Sequence, residues 1–443
     1  MNYKSISFFL GINFLFISFL SILNILYSIY FDFILGLNSY LILFLISLII
    51  GTLFCFIGYK DGRNILLTEQ IIYILLSFVF LPILIGIPYY LSIYNFGLID
   101  SYFESVSGFT ATGFSVIQNI QNIDEPLLLW RSTSQWMGGL FFLIATIGTI
   151  GSKQIKIKPS YLIAGGASGR NFYNNYKYNF LKIFTIYFAT TIITIFLFSL
   201  ADLRLLDSFN LAFTTISSGG FITTNNLSSI LESNIQVFTL SVALLFPIFN
   251  FFLFYDLIAK KFSFKKYQED FHILLLILFF SLLIYFFLIP GESFSNVFLS
   301  IISSISNSGI TTYSPDIKLS FLFLLLAIIG GSLISTSTGF KYTRIYILLK
   351  TSYQEIYRLV KPINVIDKNL YTSENIIDDQ DVKISFLVFV FFIISIFILS
   401  SILSIDYLPF DKSFKLSILT LTNTVSSSLY GVENISFLDL NNF

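Results

Sequence analysis

The stretch that decides the fold is FESVSGFTATGF, residues 103–114, and three later stretches repeat it. They are NLAFTTISSGGF (residues 210–221), SIISSISNSGI (300–310) and LTLTNTVSSSLY (419–430). We align the four on Gly113, Gly220, Gly309 and Leu429. Every copy then has an apolar residue four positions before the anchor and a hydroxyl residue three positions before it. Each copy follows a long apolar run, so the pattern predicts one structural unit built four times.

The composition predicts an all-α polytopic membrane protein. Hydrophobic residues make up 55% of the 443 and charged residues only 11%. Apolar runs of roughly 20 residues recur, the length that spans a hydrocarbon core. The formal net charge of zero gives no reason to expect a nucleic-acid partner. One Cys excludes an internal disulfide, and one His argues against a His-based metal or acid–base centre.

Short polar segments between membrane spans favour an ion-binding role for the four copies. Backbone at membrane depth leaves helical geometry only where protein buries it or where it lines a wet cavity. Four such segments around one axis would offer carbonyl oxygens that replace the hydration shell of a cation. The alternative is that they are re-entrant turns that only connect helices. The candidate ion-binding residues are Thr110, Ala111, Thr112, Gly113, Ser217, Ser218, Gly219, Gly220, Ser306, Asn307, Ser308, Gly309, Ser426, Ser427, Ser428 and Leu429.

Further motifs carry a family resemblance that covers nearly the whole chain. The repeat FESVSGFTATGF followed by LLLWRSTSQWMGG (residues 127–139) resembles the first pore repeat of the Trk/Ktr/HKT potassium transporters. SSGGF (217–221) and IIGGSLISTSTGFKYTR (328–344) are similar to later landmarks of that family. The resemblance implies four helix–pore helix–helix units and potassium uptake across the cytoplasmic membrane without a cofactor. It also implies a homodimer whose partner is a cytosolic nucleotide-binding regulatory ring.

The apolar runs divide the chain into an extra N-terminal helix pair and four repeats. The pair occupies residues 1–60, and pore repeats 1 to 4 occupy residues 66–152, 178–260, 270–350 and 383–443. The Gly-containing stretch AGGASGR (164–170) follows no clear strand and opens no clear helix, so we interpret it as a flexible cytosolic loop that could contact a partner rather than as a phosphate site. Twenty of the 25 Lys and Arg residues fall on the side of the N-terminus. This bias predicts a cytosolic N-terminus and polar segments that enter from outside.

The third inner helix, about residues 319–349, is too long for one clean span. Its middle is poor in helix formers and rich in groups that satisfy an unwound backbone. We predict a flexible intramembrane loop that gates the pathway; the alternative is a small-residue packing surface. The candidate gate residues are Gly330, Gly331, Ser332, Ser335, Thr336, Ser337, Thr338 and Gly339.

Two charged residues of the first repeat call for an explanation. Glu104 lies in the first pore helix, at a depth where a carboxylate is costly. We expect it to hold backbone amides of the pore helix or to pair with Arg131 rather than to bind the ion. Arg131 beside Trp130 is equally well interpreted as an interfacial anchor.

The fourth copy departs from the other three. Leu429 occupies the position of Gly, although Tyr430-Gly431 could shift the register and restore the pattern. Few residues follow Leu429, so we expect the fourth inner helix to be missing, either lost or supplied by another subunit. This leaves a degenerate non-conducting subunit or a sodium or mixed-cation transporter as alternatives. A secondary transporter with a midplane site is disfavoured, because inverted repeats would place successive segments on opposite sides.

Overall fold

Long apolar helices make up most of the chain. The computed structural model describes residues 3–59, 67–150, 172–258, 264, 267–288, 291–313, 319–360, 377–405 and 408–432. Within these ranges the regular elements are all helical, which confirms the predicted fold class. They fall into two compact units, residues 3–230 and residues 231–432. The AGGASGR stretch and the residues after 432 lie outside the described residues.

The first unit contains the extra helix pair, repeat 1 and the start of repeat 2. Helices α1 (Tyr3–Tyr30) and α2 (Ile34–Gly58) form a hairpin. Repeat 1 consists of α3 (Leu67–Ile85), α4 (Ile87–Tyr90), the short helix α5 (Leu98–Phe109) and the inner helix α6 (Glu125–Ile150). Repeat 2 begins with α7 (Phe172–Leu200) and its short helix α8 (Leu205–Ser217).

The hairpin is held by small residues that let the two backbones approach closely. A Cβ at Gly11 would lie 2.7 Å from the backbone nitrogen of Cys55, and one at Gly51 would lie 3.0 Å from that of Leu15. Such contacts explain why glycine suits these positions, since helix association in lipid depends on close packing.

The second unit contains the end of repeat 2, then repeats 3 and 4. The inner helix of repeat 2 is divided into α9 (Asn234–Ala243), α10 (Leu245–Ile248) and α11 (Phe251–Ile258). Repeat 3 comprises α12 (Gln268–Leu283) with a π-helical turn at Ile284–Leu288, the short helix α13 (Phe294–Ser306), α14 (Ser320–Ile329) and α15 (Tyr342–Val360). Repeat 4 has α16 (Asp379–Ile405) and the short helix α17 (Phe410–Leu421).

The divided inner helix of repeat 2 was not predicted. The sequence suggests one continuous span over residues 235–258, but Asn234–Ile248 and Phe251–Leu257 meet at an angle of 102°. Pro247, whose ring clashes with the preceding turn, accounts for the interruption between α9 and α10 at Leu244. The 102° bend itself follows Ile248, where Phe249 is extended with a ψ of 162°. The predicted unwinding of the third inner helix is confirmed, because α14 and α15 are separated by residues 330–341.

Inner helices pack against the short helix of the next repeat. In the first unit α6 contacts α8, and in the second unit α9 contacts α13. Ser132 donates a 2.6 Å hydrogen bond to Asn210 across the first of these interfaces. Phe238 stacks on Phe298 across the second, with ring centroids 5.9 Å apart.

Six helices in the described ranges are long and apolar enough to span a membrane, and the bent pair in repeat 2 would make a seventh. The inner helix α6 carries the polar run RSTSQ at residues 131–135, and all five of these residues are buried. Buried polar side chains on a membrane helix are costly and usually functional.

Candidate functional site

Each short helix ends in a segment of four residues, called here a turn segment, and the four turn segments share a backbone pattern. The second residue of each has a positive φ: 56° at Ala111, 61° at Ser218, 65° at Asn307 and 44° at Asn423. Its amide donates to the carbonyl oxygen three residues earlier over 2.9 to 3.2 Å. A positive φ follows again two residues later at Gly113, Gly220 and Gly309. Glycine suits these three positions because it adopts a positive φ without the strain that a side chain adds.

The fourth turn segment is residues 422–425, four residues before the segment chosen by sequence alignment. The amide of Thr424 donates to the carbonyl of Leu419 over 2.9 Å, just as the amide of Thr112 donates to that of Ser107. The hydroxyls of Thr422 and Thr424 lie 2.9 Å apart. The corresponding distance is 2.7 Å for Thr110 and Thr112 and 3.0 Å for Ser306 and Ser308.

The alignment on Leu429 is therefore wrong in its register. Leu429 is fully buried in a 3-10 turn, Ser428–Tyr430, and Ser426, Ser427 and Ser428 lie outside the repeated pattern. Gly431 has a positive φ but follows that turn, so it does not restore the pattern. The residues that take the places of 426–429 are Thr422, Asn423, Thr424 and Val425.

Val425 occupies the position that glycine has in the other three turn segments. A Cβ added at Gly309 would lie 2.7 Å from Cγ1 of Val425 and 2.8 Å from its carbonyl oxygen. The third and fourth turn segments are thus in direct contact. The fourth copy still departs from the glycine pattern, but through valine rather than leucine.

A buried ion pair contacts residues that directly follow the first two turn segments. Nε of Arg131 lies 2.9 Å from Oε1 of Glu104, and both side chains are 2% exposed. Glu104 also accepts hydrogen bonds from the Ser115 hydroxyl and the Val116 amide. The expected pairing of the two charges is confirmed, and burial excludes the interfacial-anchor interpretation of Arg131.

Arg131 extends this support to the residues after the second turn segment. Its guanidinium carbon lies 4.1 Å from the centre of the Phe221 ring, and Nη2 donates to the Ser115 hydroxyl. A guanidinium over an aromatic face is attractive. One side chain on α6 thereby contacts residues that follow both turn segments of the first unit.

Gln135, one turn further along α6, fixes the second turn segment. Its amide nitrogen donates to the Gly219 carbonyl over 2.9 Å, and its oxygen accepts from the Thr214 hydroxyl and the Phe221 amide. A Cβ at Gly219 would overlap the Gln135 amide. Gln135 was not among the sequence candidates, although a glutamine inside a membrane helix is itself a signal.

The loop of residues 330–340 obtains its backbone partners from the break in the second inner helix. The amide of Ser332 donates to the Ile248 carbonyl over 2.9 Å, and that of Ser337 to the Pro247 carbonyl over 3.0 Å. In return, the Phe251 amide donates to the Ile334 carbonyl over 2.8 Å. Two interrupted helices thus satisfy each other's exposed backbone groups, which membrane depth requires.

Two neighbouring carboxylates hold the two sides of this junction. Glu269 accepts from the Ser332 hydroxyl over 3.1 Å and from the Leu333 amide over 3.0 Å. Asp270 accepts a hydrogen bond from the backbone amide of Asn250 over 2.8 Å. Both acids begin α12, so this helix fixes the loop and the break together. Neither residue was among the sequence candidates.

The 330–340 loop also contacts the fourth turn segment. The Thr338 hydroxyl donates to the Thr422 carbonyl oxygen. Asn307 of the third turn segment donates to the Ala327 carbonyl over 2.8 Å and to the Thr424 hydroxyl over 3.2 Å. In the second unit the loop, the inner helix α14 and both turn segments are therefore joined by hydrogen bonds.

The comparisons with known proteins agree with this architecture. An uncharacterized cation transporter from Methanocaldococcus jannaschii is 27% identical over 398 residues, which cover 84% of this chain and 78% of that protein. The Trk system potassium uptake protein TrkH of Escherichia coli is 24% identical over 335 residues, covering 72% of this chain and 69% of the relative. No family model matches the chain.

A solved structure gives the fold. The crystal structure of the potassium transporter TrkH from Vibrio parahaemolyticus matches with a TM-score of 0.83, covering 99% of this chain and 95% of that one at 21% identity. The resemblance to the membrane subunit of Trk-type transporters is thus confirmed by sequence and by fold. The chain is a multi-pass membrane protein with the TrkH fold.

Proposed function

We propose that this chain takes up potassium ions across the cytoplasmic membrane through the four turn segments. The observation that carries the proposal is the backbone pattern repeated at residues 110–113, 217–220, 306–309 and 422–425. Relatives whose names state potassium uptake or cation transport support it.

The four turn segments would surround one axis and present carbonyl oxygens to a dehydrated ion. Such rings of oxygens replace the hydration shell of potassium. The short helices before them would aim their negative C-terminal ends at the ion. The ligand set proposed from sequence is kept for the first three segments. In the fourth segment, residues 422–425 replace residues 426–429.

The 330–340 loop would be the gate of this pathway. Its hydrogen bond to the Thr422 carbonyl oxygen links it directly to a turn segment. Its pairing with residues 247–251 holds it in one defined position, which we propose is the closed one. We further propose the orientation predicted from the Lys and Arg distribution, with a cytosolic N-terminus and turn segments that face outside. A homodimer that binds a cytosolic nucleotide-binding ring completes the proposed assembly.

Val425 favours a second candidate, transport of mixed monovalent cations. Without glycine, the fourth turn segment lacks the second positive φ seen in the other three. Its carbonyls would then not match the arrangement in the other quadrants. Potassium selectivity would fall, and Val425→Gly should raise it.

Uptake of ⁸⁶Rb⁺ by liposomes containing the purified chain tests the proposal, with competition by unlabelled K⁺ and Na⁺. Uptake inhibited far more by K⁺ than by Na⁺ supports potassium transport, and equal inhibition supports the mixed-cation alternative. Absence of uptake by folded protein, together with failure to restore growth of potassium-uptake-deficient bacteria at low K⁺, would contradict both.

A further inference from the structure

Lys341, the first residue after the 330–340 loop, is buried with its ammonium group turned back onto the loop. Lys341 as a whole is 6% exposed. Nζ donates to the Ser335 hydroxyl over 3.0 Å, to the Ser335 carbonyl oxygen over 3.3 Å and to the Ser337 carbonyl oxygen. The three oxygens all belong to the loop itself.

This ammonium forms no ion pair with any carboxylate in the described ranges. The acid on α12, Glu269, directs its oxygens to Ser332 and Leu333 instead. Glu269 attracts the Lys341 ammonium electrostatically without contacting it, and a buried charge that no counterion contacts is costly and usually functional. Uncharged oxygens, two of them backbone carbonyls, therefore solvate the Lys341 charge.

Carbonyl and hydroxyl oxygens are also the ligands with which proteins hold dehydrated potassium. A lysine ammonium is a compact point charge with the same valence as K⁺. The backbone of Lys341 has a φ of 78°, a conformation that a residue with a side chain rarely adopts. The fold thus places this ammonium on the loop oxygens despite a strained backbone.

We propose that the oxygens of Ser335 and Ser337 form a monovalent-cation site that the Lys341 ammonium fills, so that the lysine competes with the transported ion. This inference rests on the proposed function of the loop as the gate. With the ammonium in place, the loop is held in its closed form. An arriving K⁺ that takes over the same oxygens releases the lysine and loosens the loop.

The test compares Lys341→Met with the unmodified chain in liposomes, using ⁸⁶Rb⁺ uptake. Removing the ammonium should raise basal uptake about tenfold. Lys341→Arg keeps a charge near the oxygens and should stay within about twofold of the unmodified chain. Lys350→Met, on the same helix α15 but beyond the loop, is the matched control and should leave uptake unchanged.

A second measurement does not depend on transport. The melting temperature of Lys341→Met in detergent should rise with Rb⁺ concentration more than that of the unmodified chain, because the freed oxygens bind Rb⁺. Choline chloride controls for ionic strength. This readout separates the two ideas: if no form of the protein transports, the proposed function fails, while a greater Rb⁺ response of the variant still supports the site.

A folded Lys341→Met variant with unchanged uptake and no additional Rb⁺ response would overturn the inference. If that variant does not fold, Ser335→Ala decides, since it removes one of the three oxygens and leaves the charge. Increased basal uptake by Ser335→Ala supports the site, and uptake equal to that of the unmodified chain contradicts it.

Discussion

Neutralising Arg131 is expected to destabilise the protein strongly. Its guanidinium lies 2.9 Å from the Glu104 carboxylate, and both side chains are 2% exposed. Arg131→Gln leaves the carboxylate buried without its counterion. Removing one partner of such a pair costs about 3–5 kcal/mol. Loss of the guanidinium from the Phe221 ring adds about 0.5–2 kcal/mol.

The chain offers a matched control for this prediction in the same unit. Arg204 pairs with Glu125, but the Arg204 side chain is 65% exposed. Exposed pairs contribute about 0–1 kcal/mol. Arg204→Gln should therefore change the free energy of unfolding by about 1 kcal/mol at most.

The assay is unfolding of the purified protein by sodium dodecyl sulfate in mixed micelles, followed by tryptophan fluorescence. Both tryptophans of the chain, Trp130 and Trp136, are buried on α6 beside Arg131, so they report on this region. The double variant Glu104→Gln with Arg131→Gln should be less destabilised than the sum of the single variants, because no unpaired charge remains. If Arg131→Gln costs no more than Arg204→Gln, or if the single effects add, the ion pair is not what stabilises the two turn segments.

Three further predictions address the turn segments and the loop. Gly219→Ala should lower stability and abolish selective ⁸⁶Rb⁺ uptake because the added Cβ overlaps the Gln135 amide. Adding Gln135→Ala should restore part of the stability but not the selectivity. Equal stability of Gly219→Ala and the unmodified chain would contradict the close contact. Asp270→Asn should weaken the hold on the break in the second inner helix and raise basal uptake several-fold; unchanged uptake would show that the break does not control the loop. Deletion of residues 333–336 should raise basal uptake further, whereas a folded deletion variant with unchanged uptake would exclude the loop as the gate.

The repeat architecture could be predicted because it is written locally. Each polar segment follows an apolar run, and a stretch that lacks helix formers predicts the unwound loop. The Glu104–Arg131 pair could also be predicted, since two opposite charges inside one membrane repeat have few other partners. Such features depend on residue types and spacings within one repeat and not on residues far away in the sequence.

The register of the fourth turn segment could not be predicted from residue classes alone. Ser or Thr occupies five of the nine positions from 422 to 430, so more than one alignment satisfies the same columns. Thr422 and Thr424 have the spacing of Thr110 and Thr112, but Ser426 and Ser428 have it too, so the spacing of hydroxyl residues does not choose between the two registers. Only the backbone conformation selects Thr422 and Thr424, because that pair spans the residue with a positive φ.

The partners of the second turn segment and of the 330–340 loop could not be predicted because they lie far away in sequence. The hydrogen bond between Gln135 and Gly219 joins residues 84 positions apart. The loop amides bind the carbonyls of Pro247 and Ile248, which the bend exposes, but the sequence of a membrane helix does not by itself predict where such freed groups find partners. Tertiary packing decides these pairings.

The central claim is that the four turn segments form one potassium-selective pathway, and the reversal potential across a bilayer containing the purified chain tests it most directly. With K⁺ on one side and Na⁺ on the other, the unmodified chain should reverse toward the potassium equilibrium potential. Gly113→Ser should shift the reversal potential toward zero, and Val425→Gly should shift it the opposite way. A reversal potential near zero that neither substitution moves would contradict the claim.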